Sequence, residues 1–228
     1  MKPELRRFGA GQSPVVVIDH FSGDAERIAR IAEALAPFPE VTGEYYPGIR
    51  RVLDERDEFA WTYVRRACEA AAQFIAGAFE VDGFDLLRGS FSMVTVQPSQ
   101  LSPPQRAPHF DSTDPKYYAL LHYLRVPDGS GTAFYRQRST NIERVTQANL
   151  DCFVKTAEAE GGRRSTDSGY INGSDAFFEQ IGSVEAVPDR MIIYQGSLLH
   201  SGIIPPGMSF SPDPKDGRLT ANIFVRGH

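Results

Sequence analysis

Two histidines and an aspartate stand in settings suited to holding one metal ion. Pro108-His109-Phe110-Asp111 reads as a short extended segment, and on an extended chain residues i and i+2 project to the same side. His109 and Asp111 can therefore offer an imidazole nitrogen and a carboxylate oxygen to the same ion. His200 follows the apolar run Arg190–Leu199, which reads as a strand, and so stands at a strand end. Two imidazoles and one carboxylate occupy one face of a metal and leave the opposite face open. With Fe(II), that open face takes a bidentate ligand and then O2. Further along, Arg218 and Thr220 are again i and i+2, on a strand expected at Leu219–Val225. A guanidinium fork beside a hydroxyl can grip a carboxylate through paired charge-assisted hydrogen bonds.

Taken singly, each of these residues has an ordinary reading: most His-x-Asp pairs are surface or satisfied groups. Their order and strand context are what point to a site. The other histidines read differently. His122, within Leu120-Leu121-His122-Tyr123-Leu124, is expected to be a satisfied core residue. His20 leads into a helix and His228 lies at the chain end. Asp114 precedes Pro115 and suits a turn. Arg136 and Arg138 either anchor a substrate carboxylate beside the metal or are solvated strand ends. Arg226 is a second choice to Arg218, and Arg163 and Arg164 read as a solvated loop. Trp61 and Cys68 fall in a helical pattern and read as packing residues.

The elements that must position these residues are short. Val15–Ile18 is a β-branched strand. Asp24 caps a helix carried by Ile28, Ile31, Ala32 and Leu35 and stopped at Pro37. A longer helix is expected from about Asp54 to Phe79, with Phe59, Val64, Ala67, Cys68, Ala71, Phe74, Ile75 and Ala78 along one broad face. Strands follow at Phe91–Val96, Tyr117–Arg125, Thr132–Arg136, Arg190–Leu199 and Leu219–Val225, separated by Gly- and Pro-rich turns. Residues 139–186 interrupt the series, with a helix at Gln147–Ala159, a polar loop at Gly161–Ser168 and a short helix capped by Ser174 through Ile181. Such an insertion is either decoration or an active-site lid.

Composition narrows the class. The chain has 228 residues, 41% hydrophobic and 23% charged, which is an ordinary globular balance. A net charge of −5 without a basic run argues against nucleic acid as a partner. The apolar run at Val15–Ile18 is too short for a signal segment or membrane span. The expectation is a soluble cytoplasmic protein with no membrane partner. Two cysteines, Cys68 and Cys152, make no disulfide framework.

The set His-x-Asp, distant His, then Arg-x-Thr on a late strand resembles the 2-oxoglutarate/Fe(II) oxygenase superfamily. Val15–Phe21 followed by a helix is similar to the lead-in of its prolyl-hydroxylase-like members. Tyr46-Pro47-Gly48-Ile49-Arg50 and Gly131-Thr132-Ala133-Phe134-Tyr135 resemble a bacterial branch without an assigned substrate. The resemblance implies a single domain over 1–228, mainly β with flanking helices, folded as a double-stranded β-helix (jelly roll). Residues 87–138 and 187–228 would form the core, 1–86 would supply a strand and supporting helices, and 139–186 would lie near the mouth. It implies His109, Asp111 and His200 as iron ligands, and Arg218 with Thr220 as the grip on the distal carboxylate of 2-oxoglutarate. Tyr118 or Tyr123 would assist, and the residues themselves do not choose between them. Fe(II), 2-oxoglutarate and O2 are the implied cofactor and cosubstrates. Hydroxylation of a small molecule or peptide side chain, with release of succinate and CO2, is the implied activity. A reading from another class is a cupin-like metal-binding jelly roll, an isomerase or small-ligand sensor. It is disfavoured because cupins bring more histidines to the metal.

Overall fold

A computed structural model of the chain describes residues 1–41, 45–161, 163 and 169–228. Arg164 and most of the expected polar loop at 161–168 lie outside the described residues. The elements in order are β1 (Lys2–Phe8), β2 (Ser13–Asp19), α1 (Ala25–Ala34), β3 (Gly48–Leu53), α2 (Glu58–Phe79), β4 (Phe84–Val94), β5 (Tyr117–Arg125), β6 (Gly131–Gln137), α3 (Leu150–Gly161), β7 (Phe178–Glu185), β8 (Met191–Gln195), β9 (His200–Ile203) and β10 (Leu219–Gly227).

The strands form two antiparallel sheets. Seven run in the order β1-β2-β8-β5-β10-β4-β3, and three in the order β7-β6-β9. The layered β architecture is the expected jelly roll. The central strands β2, β8, β5 and β10 of the large sheet are buried on both faces, and strand alternation sorts the side chains. On β10, Leu219, Ala221, Ile223 and Val225 pack into the core shared with α1 and α2. Arg218, Thr220, Asn222 and Phe224 face the other way, into a cavity between the sheets. The interior between the sheets is filled by Val15, Val17, Tyr123, Phe134, Ile192 and Tyr194.

The helices form for local reasons and dock for tertiary ones. Asp24 caps α1 by accepting a hydrogen bond from the Arg27 N–H at 2.9 Å. Ile28, Ala29 and Ala32 bury its inner face, and Arg125 of β5 pairs with Glu26 and Glu33. The long helix begins after Asp57 rather than at Asp54, because Asp54 accepts hydrogen bonds from the Arg56 backbone and side chain in a turn. Val64, Ala67, Cys68, Ala71 and Ile75 of the expected face are buried, with Phe74 and Ala78 partly so, but Phe59 in the first turn is 73% exposed and does not belong to the stripe. Gly89 of β4 permits this approach, since a Cβ there would lie 2.8 Å from Val64 Cγ2.

His122 is the satisfied core histidine that its context predicts. Its ring lies 2.8 Å from the Tyr63 hydroxyl and 3.0 Å from Asp189 Oδ1. Asp189 also accepts from the backbone N–H groups of Ser22 and Gly23. This network ties α2, β5 and the turn before α1 into one unit.

Two expectations are corrected. Ser174–Ile181 is not a helix. Asp175 accepts from the N–H groups of Phe177 and Phe178, a turn that mimics an N-cap, and the chain then enters β7. That strand pairs with β6, so this part of the expected insertion belongs to the smaller sheet. The run Arg190–Leu199 is not one strand. β8 ends at Gln195, Gly196 to Leu199 turn, and His200 opens β9 in the other sheet. No helix of the described residues is long and apolar enough to cross a membrane.

Candidate metal centre

His109, Asp111 and His200 come together, with one ligand atom from each lying within 4.8 Å of the others. Backbone pairing places them. His109 and His200 form an isolated antiparallel bridge, and the Asp111 N–H donates to the Gly196 carbonyl at 2.7 Å. The segment 109–111 is therefore clamped on the turn between β8 and β9. Gly196 is required in that turn. A Cβ there would stand 2.6 Å from Tyr117 Cδ1 and 3.2 Å from Asp111 Cβ.

The donor set fits a divalent ion. His200 Nδ1 sits 2.8 Å from the Leu198 carbonyl, so that nitrogen carries the proton and Nε2 presents a lone pair. Nε2 lies 3.6 Å from Asp111 Oδ2. A carbonyl that fixes the tautomer of a histidine is the usual support of a metal ligand. Burial drives the His109 imidazole well below its ordinary pKa, helped by the charges of His200 and Arg50, which keeps it neutral and able to ligate. Burial also raises the Asp111 carboxyl, against the pull of His200, Arg50 and Arg88. Asp111 Oδ2 is buried and accepts no hydrogen bond. A cation at this point supplies the partner that a buried carboxylate oxygen otherwise lacks.

Arg218 and Thr220 line the same cavity, which holds about 100 Å³. Arg218 is 5% exposed. Its Nη2 reaches the Gly131 carbonyl only at 3.4 Å, and its Nε has no partner. Among the described residues it forms no ion pair. A buried guanidinium without a counter-ion is costly, and the open side of this one faces the cavity.

The remaining expected residues divide. The Tyr123 ring lies beneath the Arg218 guanidinium, 5.8 Å from its Cζ, with its hydroxyl 2.7 Å from Thr132 Oγ1. Tyr118 is on the opposite face of β5, packed on Phe79 in the helix-side core. It cannot reach the cavity, because residues 118 and 123 have opposite parity on one strand. Arg136 pairs with Glu179 and Glu143, and Arg138 donates to the Asp175 carbonyl at 2.9 Å. Neither lines the cavity, which corrects their candidacy as substrate anchors. Arg226 pairs with Asp114 at the surface, and Arg163 lies over the Phe177 ring.

Several cavity residues were not singled out as site residues in the sequence. Tyr194, which the strand Arg190–Leu199 contained, stacks edge-on against His200 at 4.8 Å. Asn222 follows Thr220 on the cavity side of β10. Tyr46 and Tyr170 close the wall from loops, and Arg50 reaches in from β3. Alternation along β10 could have found Asn222; the others depend on tertiary placement.

The fold is similar to that of several solved 2-oxoglutarate-dependent enzymes. Viral collagen prolyl hydroxylase from Paramecium Bursaria Chlorella virus-1, in its 2-oxoglutarate complex, is similar with a TM-score of 0.50 and 11% identity, over 94% of this chain and 96% of that one. HygX from Streptomyces hygroscopicus, with nickel and 2-oxoglutarate bound, gives 0.54 and 13%, over 94% and 83%. The carbocyclase SnoK from nogalamycin biosynthesis, also α-ketoglutarate dependent, gives 0.54 and 11%, over 94% and 80%. No curated protein matches the chain in sequence. The chain belongs to DUF6445, a family of unknown function whose model matches residues 1–225.

Proposed function

We propose that this protein is an Fe(II)- and 2-oxoglutarate-dependent oxygenase that hydroxylates a small molecule or peptide side chain. The observation that carries the reading is the pairing of two unmet demands in one cavity. One is a His-Asp-His cluster with a buried, unpartnered carboxylate oxygen. The other is a buried guanidinium at Arg218 that forms no ion pair among the described residues. A divalent ion answers the first and the distal carboxylate of 2-oxoglutarate answers the second. A cupin-like site needs only the first, so Arg218 favours the oxygenase.

In this reading a nitrogen of His109, an oxygen of Asp111 and His200 Nε2 would hold the iron. The bound iron would supply oxygen activation coupled to decarboxylation of 2-oxoglutarate. Arg218 orients the cosubstrate through charge-assisted bonds, with Thr220 beside it on β10. Tyr123 and Thr132 hold the floor under Arg218. Tyr194, Leu121 and Phe224 wall the cavity against water, which protects a reactive centre. No side chain is needed as a general acid or base.

The test is succinate formation by protein supplied with Fe(II), 2-oxoglutarate, ascorbate and air, with His109→Ala as control. Slow turnover without added substrate, absent in the variant, supports the reading. The complementary measurement is thermal stability: Fe(II) or Mn(II) together with 2-oxoglutarate should stabilise more than metal alone. Absence of both succinate and any 2-oxoglutarate-dependent shift would overturn the proposal.

A further inference from the structure

Phe59, in the first turn of α2, is more exposed than any other large apolar side chain among the described residues. It stands on the rim of a groove of about 510 Å³ between α1 and α2. The apolar lining includes Ile28 and Ile31 from α1 and Ala67 and Ala70 from α2. The charged residues are Asp24 and Arg27 on the α1 side and Glu58 and Arg66 on α2. Among the described residues none of these four forms an ion pair. An exposed aromatic ring beside an apolar groove marks an interaction surface. Two charges of each sign do not suit a ligand of one charge. They suit a surface that is its own complement.

The order of residues along α2 gives that complement a register. Glu58, Thr62 and Arg66 are spaced four apart, so they share one face of the helix. Glu58 and Arg66 are exposed and Thr62 is half-buried between them. A two-fold axis through Thr62 lays α2 antiparallel on its copy. Residues equally far before and after Thr62 then meet. Glu58 opposes the partner's Arg66, and Arg66 opposes the partner's Glu58. The two are about 12 Å apart along the helix, so one ion pair stands on either side of the axis. Phe59 comes level with the partner's Arg65 and Arg66 and enters the partner's groove. A parallel arrangement would instead set Glu58 against Glu58. An isologous contact needs one patch that matches itself. This one matches in charge, and it offers an apolar knob to an apolar groove.

We propose that the α1–α2 face is a homodimer interface. Phe59 of each copy fills the groove of the other, and Glu58 pairs with Arg66 across a two-fold axis at Thr62. An aromatic anchor seated in a groove and ringed by charge is the usual energetic centre of such a contact. The metal cavity lies on the other face of the large sheet and takes no part.

The test is sedimentation equilibrium of the whole chain from low micromolar to near-millimolar concentration. The wild type should pass from monomer to dimer. Phe59→Ser should weaken the dimer tenfold or more. Glu58→Arg should weaken it likewise, by setting arginine against arginine on both sides of the axis. Glu58→Arg combined with Arg66→Glu should return the affinity to within threefold of wild type, which a merely structural role would not explain. All three positions are exposed, so the variants should fold, and circular dichroism checks this. Thr62→Cys, made with Cys152→Ser to remove the exposed native thiol, should give a disulfide-linked dimer in air that reductant reverses, since a residue on the axis meets its own copy. A wild type that stays monomeric throughout would overturn the proposal and leave the groove to a different partner. A dimer indifferent to Phe59→Ser, a double exchange that restores nothing, or a dimer that Thr62→Cys does not cross-link would overturn it equally.

Discussion

His109 and His200 exchange both backbone hydrogen bonds of a single antiparallel bridge, at 2.9 and 2.8 Å. Directly opposed residues project to the same side, and the two rings stand 4.3 Å apart. The bridge fixes the spacing of the two imidazoles before any metal arrives, and Asp111 follows two residues on. Preorganisation of this kind is carried by main chain, so removing a ligand side chain should leave the frame intact. His109→Ala and Asp111→Ala are expected to fold with unchanged circular dichroism and to lose iron to background levels by elemental analysis. Retained iron in both variants would reject the assignment.

Arg218 makes a prediction with two opposite signs. In the ligand-free protein it is a buried charge with one long hydrogen bond. Replacing such a charge with an apolar side chain of similar length is neutral or stabilising. Arg218→Met should therefore melt at the same temperature as wild type or higher. Charged hydrogen bonds contribute about 2 kcal/mol, so 2-oxoglutarate should bind roughly 30-fold more weakly. A variant that is destabilised yet binds 2-oxoglutarate normally would show that Arg218 is structural.

Gly196 links packing to the site. Its missing side chain leaves room for Tyr117 and Asp111, and its carbonyl receives the Asp111 N–H. Gly196→Ala must push one of these neighbours, at a cost of about 1–3 kcal/mol for overpacking. The expected result is a lowered denaturant midpoint together with weaker metal binding, measured by Mn(II) titration. A loss of stability with unchanged metal affinity would mean that Tyr117 yields and Asp111 does not.

Much of this was legible in the residues, for reasons that differ by element. The ligand set and Arg218-x-Thr220 were readable because strand periodicity is two and each pair is local. Alternation puts Tyr118 and Tyr123 on opposite faces of β5, but which face meets the cavity is set by the packing of the helices on the sheet. The error at Ser174–Ile181 came from local chemistry. Asp175 caps a turn as an N-cap would, and only pairing with β6 makes the following residues a strand. The break after Gln195 was hidden because Leu198 and Leu199 are as buried as β8 itself, so hydrophobicity ran on across a change of sheet. Arg50 left no trace as a cavity residue, since it lies more than a hundred positions from His200 and reaches the cavity only through the order of strands. The pairing of Arg136 with Glu179 was hidden for the same reason: its partner lies on β7, the strand misread as helix.

The His122–Asp189 pair makes stability depend on pH. Burial opposes the Asp189 charge, but the hydrogen bonds from His122, the Ser22 hydroxyl and the Ser22 and Gly23 N–H groups outweigh it, and the carboxyl is held below the usual aspartate range. Burial likewise lowers His122, against the pull of Asp189. Both groups bind a proton more readily unfolded than folded, so both make stability rise with pH. The His122 contribution is complete above the ordinary histidine pKa and declines as pH falls below about 6.5. The Asp189 contribution declines further below about 4. Urea midpoints should therefore fall in two stages between pH 7 and pH 3. Asp189→Ala leaves the His122 Nε2–H and two backbone N–H groups without an acceptor, and should cost about 3 kcal/mol at pH 7. The variant should also lose the stage below pH 4. If its midpoint still falls there as steeply as that of wild type, other carboxylates govern acid unfolding and the network has no special part in it.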